Sequence, residues 1–270
     1  MSLKLDFRGS KTSQKTALWL LAPAPAFQLI WATRQGAKGL THNEMRGRDD
    51  TLKLYFVRHG KTQWNLEGRF QGAGGDSELL TESYQQMVQV GHFLRQTRFQ
   101  HAYSSPIRRA RVTAQHVVKE LHQHVPLTLM SRLEEFHLGQ LEGMAFEDVK
   151  AQFPAELDAF RNHPDQYDTS RIGGETFQEV IDRMTPGIQA IVGANPQPKA
   201  NVLIVSHGAA LNAEINALLG TPLPDLRKRG GIRNTSVTVL ETTDGGHSFD
   251  LLDWNDTSFL TAAASPTDTI

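Results

Sequence analysis

Two short apolar runs end in the same way, and that shared ending limits the fold more than any other feature of the chain. "LYFVRHG" spans residues 54–60 and "NVLIVSHG" spans residues 201–208. Leu54, Tyr55, Phe56 and Val57 are β-formers with no polar alternation. Such runs fit strands covered on both faces, as in a parallel sheet with helices on either side. Each run stops on a histidine followed by glycine, and the first adds Arg58. In open α/β sheets, ligands bind beyond the carboxyl ends of the strands. Parallel strands would therefore bring His59 and His207 to one edge. Glycine after each histidine lets backbone and ligand approach closely. A lone strand-end histidine is more often structural than functional; two of them beside an arginine make the start of a site.

From residue 52 onward, strand and helix patterns alternate. "LLTESYQQMVQVGHFLRQT" reads as a helix with Met87, Val90, His92, Phe93 and Leu94 near one face. "SPIRRARVTAQHVVKELHQ" reads as a second, with Ser105 as its cap and Pro106 in its first turn. Residues 145–161 read as two short helices broken at Pro154, and "ETFQEVIDRMTPGIQAIVGA" as a longer helix despite Pro186. "SVTVLET" and "SFDLLDW" form a closing hairpin around Asp244-Gly245-Gly246. The expectation is a three-layer α/β/α fold with a mostly parallel central sheet and a small helical lid. Residues 51–256 form the domain, 1–50 an extension, and 257–270 a tail without structure.

Composition excludes several classes. The chain has 270 residues, 28 basic and 29 acidic, a net charge of −1 and no cysteine. No global field favours nucleic acid or an anionic membrane. A disulfide framework, a cysteine nucleophile and thiolate metal sites are ruled out. Within residues 1–50, Lys4, Arg8, Lys11 and Lys15 precede "ALWLLAPAPAFQLIWA". The order resembles an export signal ending at Ala26, but prolines interrupt the apolar run early. It is also too short and broken to span a membrane. The expected location is the cytoplasm, with export as the alternative if residues 1–26 act as a signal.

"RHGKTQWN", "GRFQG", "SSPIRRARVTA", "LEEFHLGQLEG", "GGET", "SHG" and "NTSVT" occur in that order between residues 52 and 254. Seven such blocks in sequence resemble the histidine phosphatase superfamily, which includes the cofactor-dependent phosphoglycerate mutases. The resemblance implies that His59 is a nucleophile forming a phosphohistidine, that Arg58 and Arg109 clamp the phosphoryl oxygens, and that His207 adds a donor. The chemistry fits these residue types. A neutral imidazole attacks phosphorus near neutral pH if one ring nitrogen is free and the other donates to a carbonyl. A guanidinium donates two parallel bonds and keeps its charge. The motif selects Arg109 over Arg108, and Glu135 over Glu134 as the acid that protonates the leaving oxygen. Asn65, Gln71, Gly72 and Gly208 are expected to line the substrate. Gly173 and Gly174, at a helix start, are weaker candidates for anion contact. Neither cofactor nor metal is expected, and the partner is a small-molecule phosphate ester, with no nucleic acid and no membrane. Only about thirty residues separate Gly143 from Gly173, where the mutases carry a long insert. The expected activity is therefore that of a phosphatase. A mutase is the alternative, and a non-catalytic phospho-ligand binder a more distant one.

Overall fold

A computed structural model describes residues 51–261 and Thr267. The readings made for the N-terminal extension lie outside the described residues. Six strands form one sheet: β1 (Leu52–Arg58), β2 (His101–Ser104), β3 (Leu127–Leu129), β4 (Ala200–Ser206), β5 (Val237–Thr242) and β6 (Asp250–Asp256), in the order β3-β2-β4-β1-β5-β6. β1, β2, β3 and β4 are mutually parallel, while β5 runs antiparallel to both β1 and β6. The helices are α1 (Gln63–Leu66), α2 (Thr81–Leu94), α3 (Arg108–Glu120), α4 (Phe146–Gln152), α5 (Pro154–Asn162), α6 (Phe177–Ala194) and α7 (Gly208–Leu218).

The missing polar alternation in β1 and β4 has the expected cause. Leu54, Phe56, Val202 and Ile204 pack on one face of the sheet with Val180, Met184 and Ile188 of α6 and Leu211 of α7. Val57, Leu203 and Val205 pack on the other with Val90 of α2 and Ala114 of α3. Each strand is thus enclosed by helices on both sides, and the architecture is the expected three-layer α/β/α. Pro154 occupies the first turn of α5, where its missing N–H costs nothing. The closing hairpin forms as expected, with Gly245 and Gly246 both at positive φ.

Three local expectations fail. The buried stripe of α2 is Ser83, Met87, Val90, Gly91 and Leu94, whereas His92 and Phe93 face outward. At Gly91 a Cβ would stand 2.4 Å from Glu120 Cβ, so the α2–α3 crossing is too tight for a side chain. The residues just after β6 are not structureless: Leu260 N donates to Thr257 O, and Phe259 stacks on Phe93 at 4.4 Å. Ser105 does not cap α3, whose N-cap is Ile107 with no side-chain bond. Among the described residues, no helix is long and apolar enough to cross a membrane.

Candidate active site

The ends of β1 and β4 lie side by side because these strands are paired and parallel, with Arg58 opposite Ser206. The rings of His59 and His207 stand 5.2 Å apart. His59 Nδ1 lies 2.8 Å from the carbonyl of its neighbour Gly60. A carbonyl only accepts, so Nδ1 carries the hydrogen and Nε2 keeps its lone pair. Arg109, at the start of α3, places its Nε 3.3 Å from that nitrogen. Burial holds the His59 imidazole well below its ordinary pKa of 6.5, and the charges of Arg109 and Arg58 push the same way. His207 is depressed likewise, by burial first and then by Arg109, His59 and the arginines around it. Both rings are therefore neutral at neutral pH.

The guanidiniums are held rigidly. Arg109 donates to the carbonyls of Gly75 (2.6 Å), Gly72 (3.0 Å) and Gln71 (3.3 Å), and Asp76 stands 3.5 Å away. Arg58 Nη1 donates to the carbonyl of Ile232 at 2.6 Å. Gly208 makes room for it: a Cβ there would lie 2.8 Å from Arg58 Nε. Arg108, by contrast, is exposed and forms a bidentate pair with Glu78, with both bonds at 2.7 Å.

Glu135 is buried, while Glu134 is only half-buried. Its carboxylate accepts from the backbone N–H groups of Ala209 (3.1 Å), Ala210 (2.8 Å) and Phe136 (3.0 Å). The first two belong to the opening turn of α7, where unpaired N–H groups favour an acidic partner. Glu135 is thus tied to the helix that follows His207. A small apolar cavity lies beside it, walled by Phe70, Phe136, Leu138 and Phe160.

The remaining sequence candidates are bonded into the framework around the site. Asn65 Oδ1 accepts from Thr62, and Asn234 Nδ2, which donates to the His59 carbonyl, approaches it at 3.4 Å. The Gln71 side chain is bound to Thr62 and Ser77, and its carbonyl goes to Arg109. Gly72 gives its carbonyl to Arg109 and its N–H to Glu142. Gly173 and Gly174 pack against residues 137–139, with Gly174 so close to the His137 carbonyl that a Cβ would stand 2.2 Å away.

Several residues that reading the sequence missed complete the arrangement. Ser105 Oγ lies 2.7 Å from His207 Nε2 and accepts from Ile107 N–H. His207 Nδ1 is buried and has no hydrogen-bond partner among the described residues. Thr113 Oγ1 donates to the Arg109 carbonyl and accepts from Gly60 N–H, joining α3 to the end of β1. Glu142 accepts from Gly72, Gly74 and Leu138. Arg183 of α6 donates to the carbonyls of Arg132, Glu134 and Glu135, fixing the segment that carries the acid.

Residues 54–257 match the family described as the histidine phosphatase superfamily (branch 1). Phosphoglycerate mutase-like protein 4 of Arabidopsis thaliana is 32% identical over 212 residues, covering 78% of this chain and 88% of that protein. Among solved structures, YhfR of Bacillus stearothermophilus is 34% identical with a TM-score of 0.70, covering 77% of this chain and 98% of that one. A mycobacterial glucosyl-3-phosphoglycerate phosphatase is 28% identical with a TM-score of 0.69, covering 77% and 100%.

Proposed function

The chain belongs to the histidine phosphatase superfamily, and on that premise we propose that it is a phosphomonoesterase acting through a phosphohistidine on a small phosphorylated metabolite. The observation that carries this reading is His59: buried, depressed in pKa, with Nδ1 committed to a carbonyl and Nε2 beside Arg109. In the proposed mechanism Nε2 attacks phosphorus as the bond to the leaving oxygen breaks. Glu135 gives that oxygen a proton. Arg58, Arg109 and His207 face the phosphoryl oxygens, where charge grows in the transition state. Water then attacks the phosphohistidine, and Glu135 takes its proton. Phosphate leaves, and the imidazole is neutral again.

Charge neutralisation in this scheme comes from the fixed guanidiniums of Arg58 and Arg109, so turnover needs no added divalent ion. The phosphatase reading over the mutase reading rests on the segment between Gly143 and Gly173. It folds into α4, α5 and one further turn, packed on the aromatic cluster of Phe70, Phe136, Phe160 and Phe177. A long covering insert that would hold a bisphosphate away from water has no counterpart in that stretch.

The test is a rapid quench with p-nitrophenyl phosphate in EDTA. An acid-labile phosphoenzyme should form in the wild type and be absent in His59→Ala. A parallel assay with 3-phosphoglycerate, with and without 2,3-bisphosphoglycerate, should release inorganic phosphate. Exclusive formation of 2-phosphoglycerate would establish the mutase instead. Turnover that stops in EDTA would overturn the mechanism.

A further inference from the structure

At the sheet edge opposite the active site, three side chains with metal-binding chemistry converge on the α2–α3 pair. They are His92 in the last turn of α2, Glu120 at the end of α3 and His122 just beyond it. One donor atom from each lies within 4.8 Å of the others. His92 Nε2 and Glu120 Oε2 are 3.6 Å apart. Two ligands of a tetrahedral zinc ion, with bonds of about 2.0–2.1 Å, sit about 3.3 Å from one another. The first pair is close to that spacing already. His92 and His122 are exposed, so ordinary side-chain rotation can close the rest.

The fold accounts for the convergence. Gly91 lets α3 approach α2 until the Glu120 side chain rests over the position where a Cβ would stand. The next residue on α2 is His92. His122 follows the Leu121 cap with φ at 53°, which turns the chain at the helix end. Both helices run back from the active-site edge, because each follows a strand of the parallel set. Their C-terminal ends therefore point toward the same region, and two helix dipoles present their negative ends to it. A cation gains there from the dipoles as well as from the carboxylate.

We propose that His92, Glu120 and His122 form a binding site for one divalent zinc-class ion that clamps α2 to α3. Two imidazoles and one carboxylate suit Zn²⁺, with water completing the coordination; Mg²⁺ and Ca²⁺ prefer all-oxygen sets. The ion is structural, since the site lies across the sheet from His59, and phosphate-ester turnover does not depend on it.

The test uses the full chain stripped with EDTA and dialysed. Co²⁺ as a visible-absorbing stand-in, followed by competition with Zn²⁺, should show saturable binding of one equivalent, and Zn²⁺ should raise Tm where Mg²⁺ does not. His92→Ala and His122→Ala should each weaken binding by about tenfold or more. His124→Ala, which alters a neighbouring histidine outside the cluster, should leave it unchanged. Neither ligand variant alters a buried core position, so circular dichroism should match the wild type. Absence of saturable binding, or equal affinity in the wild type and both ligand variants, overturns the site.

Discussion

Glu135 and His59 are asked to do different things, and a single substitution separates them. Without the acid, the phosphoryl group still transfers when the departing oxygen tolerates negative charge. Nitrophenolate does; an alkoxide does not. Glu135→Gln should therefore lose little kcat/KM on p-nitrophenyl phosphate and about a hundredfold or more on an alkyl phosphate. Phosphoenzyme formation sets kcat/KM, so the later hydrolysis step does not blur the comparison. An equal loss on both esters would remove Glu135 from the acid role. At this scale, much of the site was legible in the sequence. Arg58, His59 and His207 stand out because charge follows grease at a strand end. Ser105 was misread: serine before proline at a helix start is a capping signal, yet its hydroxyl meets His207, 102 positions away, at 2.7 Å. Local grammar describes neighbours along the chain and is silent on a partner supplied by another strand.

Among the elements, the loop after α1 carries the heaviest positional burden. Its carbonyls at Gln71, Gly72 and Gly75 hold the Arg109 guanidinium, and Glu142 holds the loop. Glycines are needed there for space: at Gly72 a Cβ would meet Glu142 Oε1 at 2.3 Å and the Phe136 carbonyl at 2.4 Å. Glu142→Ala would leave three N–H groups without their carboxylate, a loss of about 1.5–3 kcal/mol per charge-assisted bond. The expected outcome is a drop of about ten- to a hundredfold in kcat/KM on aryl and alkyl esters alike, with inhibition by inorganic phosphate weakened in parallel. Unchanged phosphate inhibition would disconnect Glu142 from Arg109. The glycines and the strand–helix alternation were readable as pattern. The link to Glu142 was not, because its partners are backbone hydrogens that carry no side-chain signature. The inward face of α2 was misplaced at His92 and Phe93 for a related reason: the tight crossing selects a glycine, which hydrophobic periodicity does not count.

For the molecule as a whole, one buried acid makes stability depend on pH. Glu214 of α7 is fully buried, and one of its oxygens accepts from Thr185 Oγ1 at 3.0 Å. Burial pushes its carboxyl up to about 8, with the Thr185 hydroxyl and the charge of Arg183 pulling the other way. Between the ordinary value of 4.5 and about 8 the folded state holds a proton that the unfolded chain has lost. Stability from this group is therefore greatest below 4.5 and declines as pH rises through that window. Glu214→Gln keeps the hydrogen-bonding shape without the titration. In urea unfolding, the variant should gain on the wild type by on the order of 3 kcal/mol between pH 5 and pH 8. A gap that stays constant across that range would show that Glu214 ionises normally.

The placing of β1 at the centre of the sheet has a consequence for how the chain comes off the ribosome. Leu52 pairs with Ala200 on one side and with Thr242 on the other. Among the described residues β1 is the first strand made, and its two edges close only once β4 and then β5 have followed. The site waits with it: Thr235 N–H binds the Arg58 carbonyl, Asn234 binds that of His59, and Ile232 receives the Arg58 guanidinium. Long-range pairing of this kind slows folding and leaves apolar edges open meanwhile. A nascent chain released before residue 242 would expose "LYFV" to whatever strand it met, so this protein depends on reaching its own C-terminal hairpin before it is left unattended.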